Sequence, residues 1–309
     1  MQNTDVKTRK NLKKILAVII VVLFIIFYLL ISFGRAIGVP DWNDVFTFCG
    51  IYADMNSEIS LSFIDVGSAD ACYVRCGDKH ILIDTGQSLT YDRLWAYLKR
   101  NGCTHLDAVI ISHPESDHMG AAADVIRDFG TDVLYMPSVG KEFEPQNAEY
   151  ERFNNALKEY NVKVINPQIP LSTKIGDLNV DFISPQKDFG SLNGNSLVVR
   201  ITYKSKAFLF TGDMVKATEE FLLSCGTELK CDVLKVAHHG SKTSSSEEFL
   251  RAASPEIAVV SVADDDVYLP DYYTMALINS CCDELYVTAT DRTVVITSDG
   301  SNLKVKTHA

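Results

Sequence analysis

The sequence predicts an α/β domain of two sheets flanked by helices, preceded by a single transmembrane helix. From residue 58 onward β-like and helix-like runs alternate, with more strands than one open parallel sheet needs. Residues 15–33 are nineteen consecutive uncharged residues, the length required to cross a hydrocarbon core as a helix. Three apolar strands end abruptly in ligand-type side chains, at "SHPESDH", "TGD" and "HHGS", which predicts a metal centre at their carboxyl ends.

The chain therefore divides into a basic segment (1–14), a membrane anchor (15–33), a linker (34–57) and one globular domain (58–309). Lys7, Arg9, Lys10, Lys13 and Lys14 precede the apolar run against only Asp5, and Arg35 alone follows it closely. The positive-inside bias puts the N-terminus in the cytoplasm and the domain outside. No small-x-small cleavage site follows Phe33, so a retained anchor in the cell membrane is favoured over a cleaved signal peptide. Residues 1–33 carry five basic and one acidic residue, so of the net charge of −11 the remainder carries −15. Such a surface repels polyanions and argues against a broad nucleic-acid-binding face; a nucleic-acid substrate would need a local metal-rich cleft. All eight cysteines lie in the exported part and match no zinc-finger or small disulfide scaffold. Cys225 and Cys231 either close a loop or, with the others, remain thiols.

In chain order the strand candidates are "ISLSFIDVG", "ACYVRCG", "HILIDTG", "LDAVIIS", "DVLYMP", "VKVINP", "LNVDFIS", "SLVVRITY", "AFLFTGD", "CDVLKVAHH", "EIAVVSV", "ELYVTAT", "TVVITS" and "LKVKTH". "CGDKH", "KIGDL" and "SDGSN" are turn signals between them. Helices are expected at 89–100, after His118, at 146–160, 215–223, 245–253 and 271–279.

His113, Glu115, Asp117 and His118 crowd the end of one apolar strand, Asp213 ends a second, and His238 and His239 end a third. Burying these groups unpaired would cost several kcal/mol apiece, and a shared metal removes that cost. Imidazole mixed with carboxylate suits zinc, manganese or iron. Asp65, Asp70 and Asp84, at two further strand ends, are placed to orient ligands from behind. "GSKTSSS" can hold a phosphate through Ser241, Lys242 and Ser244 at a helix N-terminus, or simply cap that helix.

"FIDVGSADACYV", "ILIDTG", "IISHPESDHMGA", "NGNSLVVRITY", "FLFTGD" and "DVLKVAHHGSKTSSSEEFL" together resemble the metallo-β-lactamase superfamily, in particular the exported hydrolase domain of ComEC-type competence proteins and their stand-alone relatives. The resemblance covers residues 58–308, in the family's motif order, and implies an αββα sandwich. Its His-x-His-x-Asp-His motif falls on His113, Glu115, Asp117 and His118, with a carboxylate at the second position as in ComEC-type domains. The region where other members supply a further His holds Asn193 and Asn195. Asp213 matches the Asp bridging two metals, and His238, with His239 as the alternative, matches the His-His-Gly-Ser motif. Two positions depart: Leu269 replaces the His of a Gly-His-Pro segment, and Ser68 and Ala69 replace the usual Gln-Gly.

The resemblance implies two divalent ions, zinc or manganese, held by His113, Glu115, Asp117, His118, Asp213 and His238, with His239, Asn193, Asn195, Asp65 and Asp84 as further metal or orienting residues. Asp117, His113 and Asp213 are then the catalytic residues, activating water for attack on phosphorus or a carbonyl carbon. The implied function is a membrane-anchored nuclease of DNA uptake or processing. With one spanning segment the chain cannot itself form the family's channel, so it acts alone or beside a separate membrane partner. The alternatives are hydrolysis of another phosphoester or ester, such as a cell-wall component, and a non-catalytic binding protein with a partial site.

Overall fold

A computed structural model describes residues 2–32 and 57–308. It divides into an amino-terminal unit containing helix α1 (Gln2–Ser32) and a larger unit holding both sheets. The described side chains of α1 from Ile15 to Leu29 are exposed. Among the described residues, no helix is long and apolar enough to cross a membrane. The expected linker falls outside the described residues, apart from Ser57.

The larger unit contains two mixed sheets. The first has β1 (Ile59–Phe63), β2 (Cys72–Cys76), β3 (Lys79–Ile83), β4 (Ala108–Ile110), β5 (Leu134–Tyr135) and β6 (Val164–Ile165), joined beyond β1 by β14 (Thr293–Ser298) and β15 (Leu303–His308). The second runs β13 (Glu284–Val287), β12 (Ile257–Val260), β11 (Val233–Lys235), β10 (Lys206–Phe210), β9 (Val198–Tyr203), β8 (Leu178–Ser184) and β7 (Leu171–Ile175). In each sheet one half is parallel, β3–β6 and β10–β13, and the rest antiparallel.

Alternation along the strands assigns each face. Ile59, Leu61 and Phe63 of β1 point between the sheets, where they meet Val180, Phe182, Phe208 and Phe210. Phe63 stacks on Phe210 at 6.2 Å and Tyr135 lies tilted against Phe182 at 4.8 Å, so this seam is apolar and aromatic. The outer face of the first sheet is covered by α2 (Tyr91–Arg100), α4 (Ala122–Phe129) and α5 (Ala148–Glu159), through residues such as Leu94, Leu98 and Phe153. The second is covered by α6 (Lys216–Ser224), α7 (Glu247–Ala253) and α8 (Tyr272–Cys281), through Leu222, Phe249 and Ile278. Side-chain oxygens fix where α5, α7 and α8 begin: Asn147 accepts from the Tyr150 amide, Ser246 from Phe249 and Asp271 from Thr274. The two-sheet sandwich is thus the expected one.

Local expectations differ at three places. β7, "LSTKI", pairs antiparallel with β8 across the Gly176 turn, a strand hidden because its exposed positions are polar and its edge lies half in solvent. "ELYVTAT" is a strand only to Val287 and then turns into α9 (Thr288–Asp291). The strands leading to the ligands also stop earlier than their apolar runs suggest, because the terminal residues build loops. All seven described cysteines, Cys225 and Cys231 included, are free thiols.

Because Phe182 is fully buried in the seam between the sheets, Phe182→Ala is expected to destabilise the larger unit by about 3–5 kcal/mol, read as a lower denaturant midpoint at unchanged slope.

Candidate metal centre

Five chain segments leaving the carboxyl ends of β1, β3, β4, β10 and β11 converge where the two sheets meet. β4 continues into Ser112–Glu115 and a short helical turn, α3 (Ser116–Met119). That turn is clasped by its neighbours: the Asp70 amide donates to the Asp117 carbonyl at 3.0 Å, and the Thr85 amide to the His118 carbonyl at 2.7 Å. Across the seam, Leu197 N–H donates to the Ser112 carbonyl at 2.8 Å. Gly212 takes a left-handed φ of 49° close against Ser112, where a Cβ would lie 2.8 Å from the serine's own. Glycine is therefore required for the two sheets to close here.

The histidines are aimed by what holds their Nδ1 atoms. His118 Nδ1 lies 2.9 Å from Asp84 Oδ2, and His239 Nδ1 lies 2.7 Å from the Ser261 carbonyl. Both acceptors require Nδ1–H, so in the neutral ring each Nε2 carries the lone pair. Asp84 is itself fixed by the Ser112 amide at 2.7 Å and hydroxyl at 2.8 Å, and the same hydroxyl lies 3.0 Å from His113 Nδ1.

The freed Nε2 atoms point at carboxylates. His118 Nε2 is 3.2 Å from Asp213 Oδ1, and His239 Nε2 is 3.3 Å from Asp117 Oδ2 and 3.9 Å from Asp213 Oδ2. His113 Nε2 is 3.9 Å from Glu115 Oε2, and its ring lies 4.1 Å from that of His118. The structure thus gathers His113, Glu115, Asp117, His118, Asp213 and His239, with Asp213 in the middle. His238, the ligand the sequence resemblance implies, is instead partly exposed, with its Nε2 3.7 Å from Asp213 Oδ2 and its Nδ1 meeting the Thr243 hydroxyl at 3.1 Å, whereas His239 is the buried one. Both histidines have left-handed backbones, φ 50° and 51°, so the alternation of the strand ahead does not decide which one turns inward.

Electrostatics mark this as a place built for positive charge. Burial disfavours ionisation of Asp213, yet the His118 and His239 imidazoles hold it well below the carboxylate range. Burial also opposes charge on Asp117, but His239 Nε2, 3.3 Å away, together with the field of His118, brings it down to about 2. Conversely, burial disfavours charged His118, but Asp213 and Asp84 raise it well above its ordinary value. His239 is raised too, against its own burial, chiefly by Asp213 and Asp70.

The donor set fits a metal. His113 Nε2, His118 Nε2, His239 Nε2 and Asp213 Oδ1 are all buried without a hydrogen-bond partner, at about 1–3 kcal/mol each if nothing binds them. Ligand atoms of Asp70, His118, Asp213 and His239 lie within 4.8 Å of one another. Asp70 belongs behind the site nonetheless, because it stands 3.8 and 3.7 Å from the Nδ1 atoms of His118 and His239, while its Oδ2 is held by Lys235 Nζ at 2.7 Å. Asp117 occupies the Nε2 side.

Other sequence candidates lie elsewhere. Asp65 sits 3.6 Å from both Arg93 and Arg292, so its charge is used by arginines. Asn195 braces its own loop, accepting from the Phe189 amide and donating to Asp188. Ser241 pairs with the Thr243 hydroxyl, and Ser244 donates to the Met214 carbonyl at 2.8 Å, while Lys242 is exposed. The amides of Ser245 and Ser246, leading into α7, are taken by the buried carboxylate of Glu219 at 2.5 and 2.8 Å. The anion at this helix start is therefore internal. Leu269 packs against the core beneath α8. Lys235, Ser112, Ser261 and Glu219 escape a reading of the sequence; of these only Lys235 carries a signal, a charge in the middle of an apolar strand.

With this fold and this site, the chain belongs to the metallo-β-lactamase superfamily, whose profile matches residues 64–264. It is 30% identical over 237 residues to ComE operon protein 3 of Bacillus subtilis, covering 71% of this chain and 30% of that one. It is 29% identical over 249 residues to competence protein ComA of Neisseria gonorrhoeae, covering 78% of this chain and 33% of the relative. The chain thus spans about a third of the length of these relatives. Among solved structures, a metallo hydrolase, Igni18, from Ignicoccus hospitalis superposes with a TM-score of 0.52 at 18% identity, over 78% of this chain and 100% of the other.

The raised imidazoles stabilise the metal-free fold fully below pH 6.5 and lose that contribution as pH climbs through their raised values. The lowered carboxylates contribute above pH 3.8 and lose it on acidification. The thermal midpoint of the metal-free chain should therefore peak between about pH 4 and 6.5 and fall as pH rises above that range, whereas zinc or manganese, replacing the protons, should flatten the alkaline fall. A midpoint that climbs with pH in the metal-free chain across that range contradicts the assignment.

Proposed function

We propose that this chain is a metal-dependent phosphodiester hydrolase, a nuclease acting on DNA, anchored through the uncharged run of residues 15–33 with its larger unit outside the cytoplasm. The observation that carries the reading is the set of orphaned imidazole and carboxylate atoms delivered by three strand ends, in a superfamily member whose relatives are named for competence. The nineteen-residue uncharged run behind a basic segment supports the anchor.

Asp117, His118, Asp213 and His239 would hold one divalent ion, and His113, Glu115 and Asp213 the other, with Asn193 offering an unpartnered buried oxygen. Zinc or manganese so bound supplies Lewis acidity and lowers the pKa of water towards neutrality. The protein's part is placement. Asp84 and the Ser261 carbonyl hold His118 and His239 in the tautomer that presents Nε2. Asp213 is kept ionised by the histidines beside it, and Lys235 neutralises Asp70 behind them. Glu115, 40% exposed, reaches the mouth of the site, where it can take a proton from the reaction.

A second reading is favoured by the charge of −15 beyond residue 33: the substrate is a cell-wall or other phosphoester rather than a long polyanion.

Full-length protein in detergent, loaded with manganese or zinc, should degrade single- or double-stranded DNA. Asp117→Ala and His239→Ala should each lower the rate by at least about 100-fold, and His238→Ala by much less. Equal losses at positions 238 and 239 would overturn the ligand choice. Metal-loaded protein that leaves DNA intact would sink the nuclease and favour the second reading.

A further inference from the structure

Residues 263–273 contain Leu269, which replaces the His of the resembled family, and form part of the rim of the metal centre. Asp266 accepts from the Ser68 hydroxyl at 2.7 Å, and that hydroxyl accepts from the Ala263 amide at 3.1 Å, tying this segment to the loop that carries Asp70. At its other end the Asp271 amide donates to the Gly240 carbonyl at 3.0 Å, and Pro270 packs so closely on Gly240 that a Cβ there would lie 2.8 Å away. The segment is therefore clamped to the turn carrying His239. Leu269 faces the core, but Val267, Tyr268, Tyr272 and Tyr273 are 83%, 87%, 78% and 80% exposed. Tyr272 and Tyr273 stand edge to face at 5.5 Å, so their rings present faces in different directions.

No fold requirement explains three exposed tyrosines within six residues beside a metal centre. Their charged neighbours are mostly engaged: Asp264 lies 3.8 Å from Arg292, Asp266 accepts from the amides of Tyr268 and Leu269, and Asp271 caps α8. The balance is still acidic, so a polyanion gains little from charge on this rim and must gain from stacking. Unpaired nucleobases offer every tyrosine a flat partner, whereas the bases of a duplex are already stacked on one another.

Resting on the nuclease reading, we propose that Tyr268, Tyr272 and Tyr273 form a stacking platform for unpaired bases that makes single-stranded nucleic acid the preferred substrate. The test is fluorescence anisotropy with a labelled single strand of about 12 nucleotides and a duplex of equal length, on full-length Asp117→Asn protein in detergent. The comparison protein carries Tyr268→Ser, Tyr272→Ser and Tyr273→Ser as well. Metal content and thermal midpoint of the two proteins establish that the fold is kept, as expected for side chains so exposed.

The single strand should bind at least about 5-fold more tightly than the duplex, and the triple substitution should weaken single-strand binding about 10-fold or more. Between about 50 and 200 mM salt the affinity should change less than about 5-fold, far below the change for a site that binds through phosphates. Equal binding by the triple variant overturns the platform, while cleavage of DNA by the parent would leave the nuclease reading standing. Absence of nucleic-acid binding by either protein overturns it too, and loss of binding to neutral lipid vesicles in the triple variant would instead assign the tyrosines to the membrane surface.

Discussion

The hydrogen bonds behind the imidazoles determine what the front of the site can do. His118 donates from Nδ1 to Asp84, and His239 from Nδ1 to the Ser261 carbonyl. If either bond pointed elsewhere, the opposite tautomer would turn an N–H towards Asp213 and the lone pair would be lost to a metal. Asp84 reaches its position through a left-handed backbone, φ 56°, which lets its carboxylate meet both the amide and the hydroxyl of Ser112. Such conformations cost on the order of 1–3 kcal/mol and persist because surrounding contacts fix them.

The sandwich brings these loops together. Each sheet places its parallel half next to an antiparallel half; ligands emerge from the carboxyl end of β4 in one sheet and of β10 and β11 in the other, and the end of β3 supplies Asp84 behind them. The apolar aromatic seam between the sheets fixes their spacing, and the contact of Gly212 with Ser112 fixes how closely the two ligand loops approach. Behind them Lys235, 2.7 Å from Asp70, balances that carboxylate's charge in the core. Removing either partner would strand the other's charge in the core.

Much of this was legible in the sequence. The alternation of strands and helices pointed to two covered sheets. The ligand clusters at strand ends marked most of the site, because His and Asp side chains at the ends of buried strands need a shared cation to satisfy them. What stayed hidden depends on backbone geometry. His238 and His239 both leave the strand in left-handed conformation, so neither alternation nor composition tells which one turns inward. Asp65 looked equivalent to Asp70, yet Arg93 and Arg292, 28 and 227 residues away in the chain, claim it. The serine-rich stretch before α7 stayed open between holding a phosphate and capping, because Glu219, which takes its amides, comes from a helix some 26 residues earlier. Long-range pairing of this kind leaves no local pattern.

The central claim is that convergent Nε2 and carboxylate atoms form a cation site centred on Asp213. It is tested most directly by anomalous diffraction from crystals grown with zinc or manganese. Peaks about 2.0–2.2 Å from His118 Nε2, His239 Nε2 and Asp213, with a second near His113, are the result predicted. A metal held instead by Asp70 on the Nδ1 side, or no peak among these residues in metal-saturated crystals, would contradict the account.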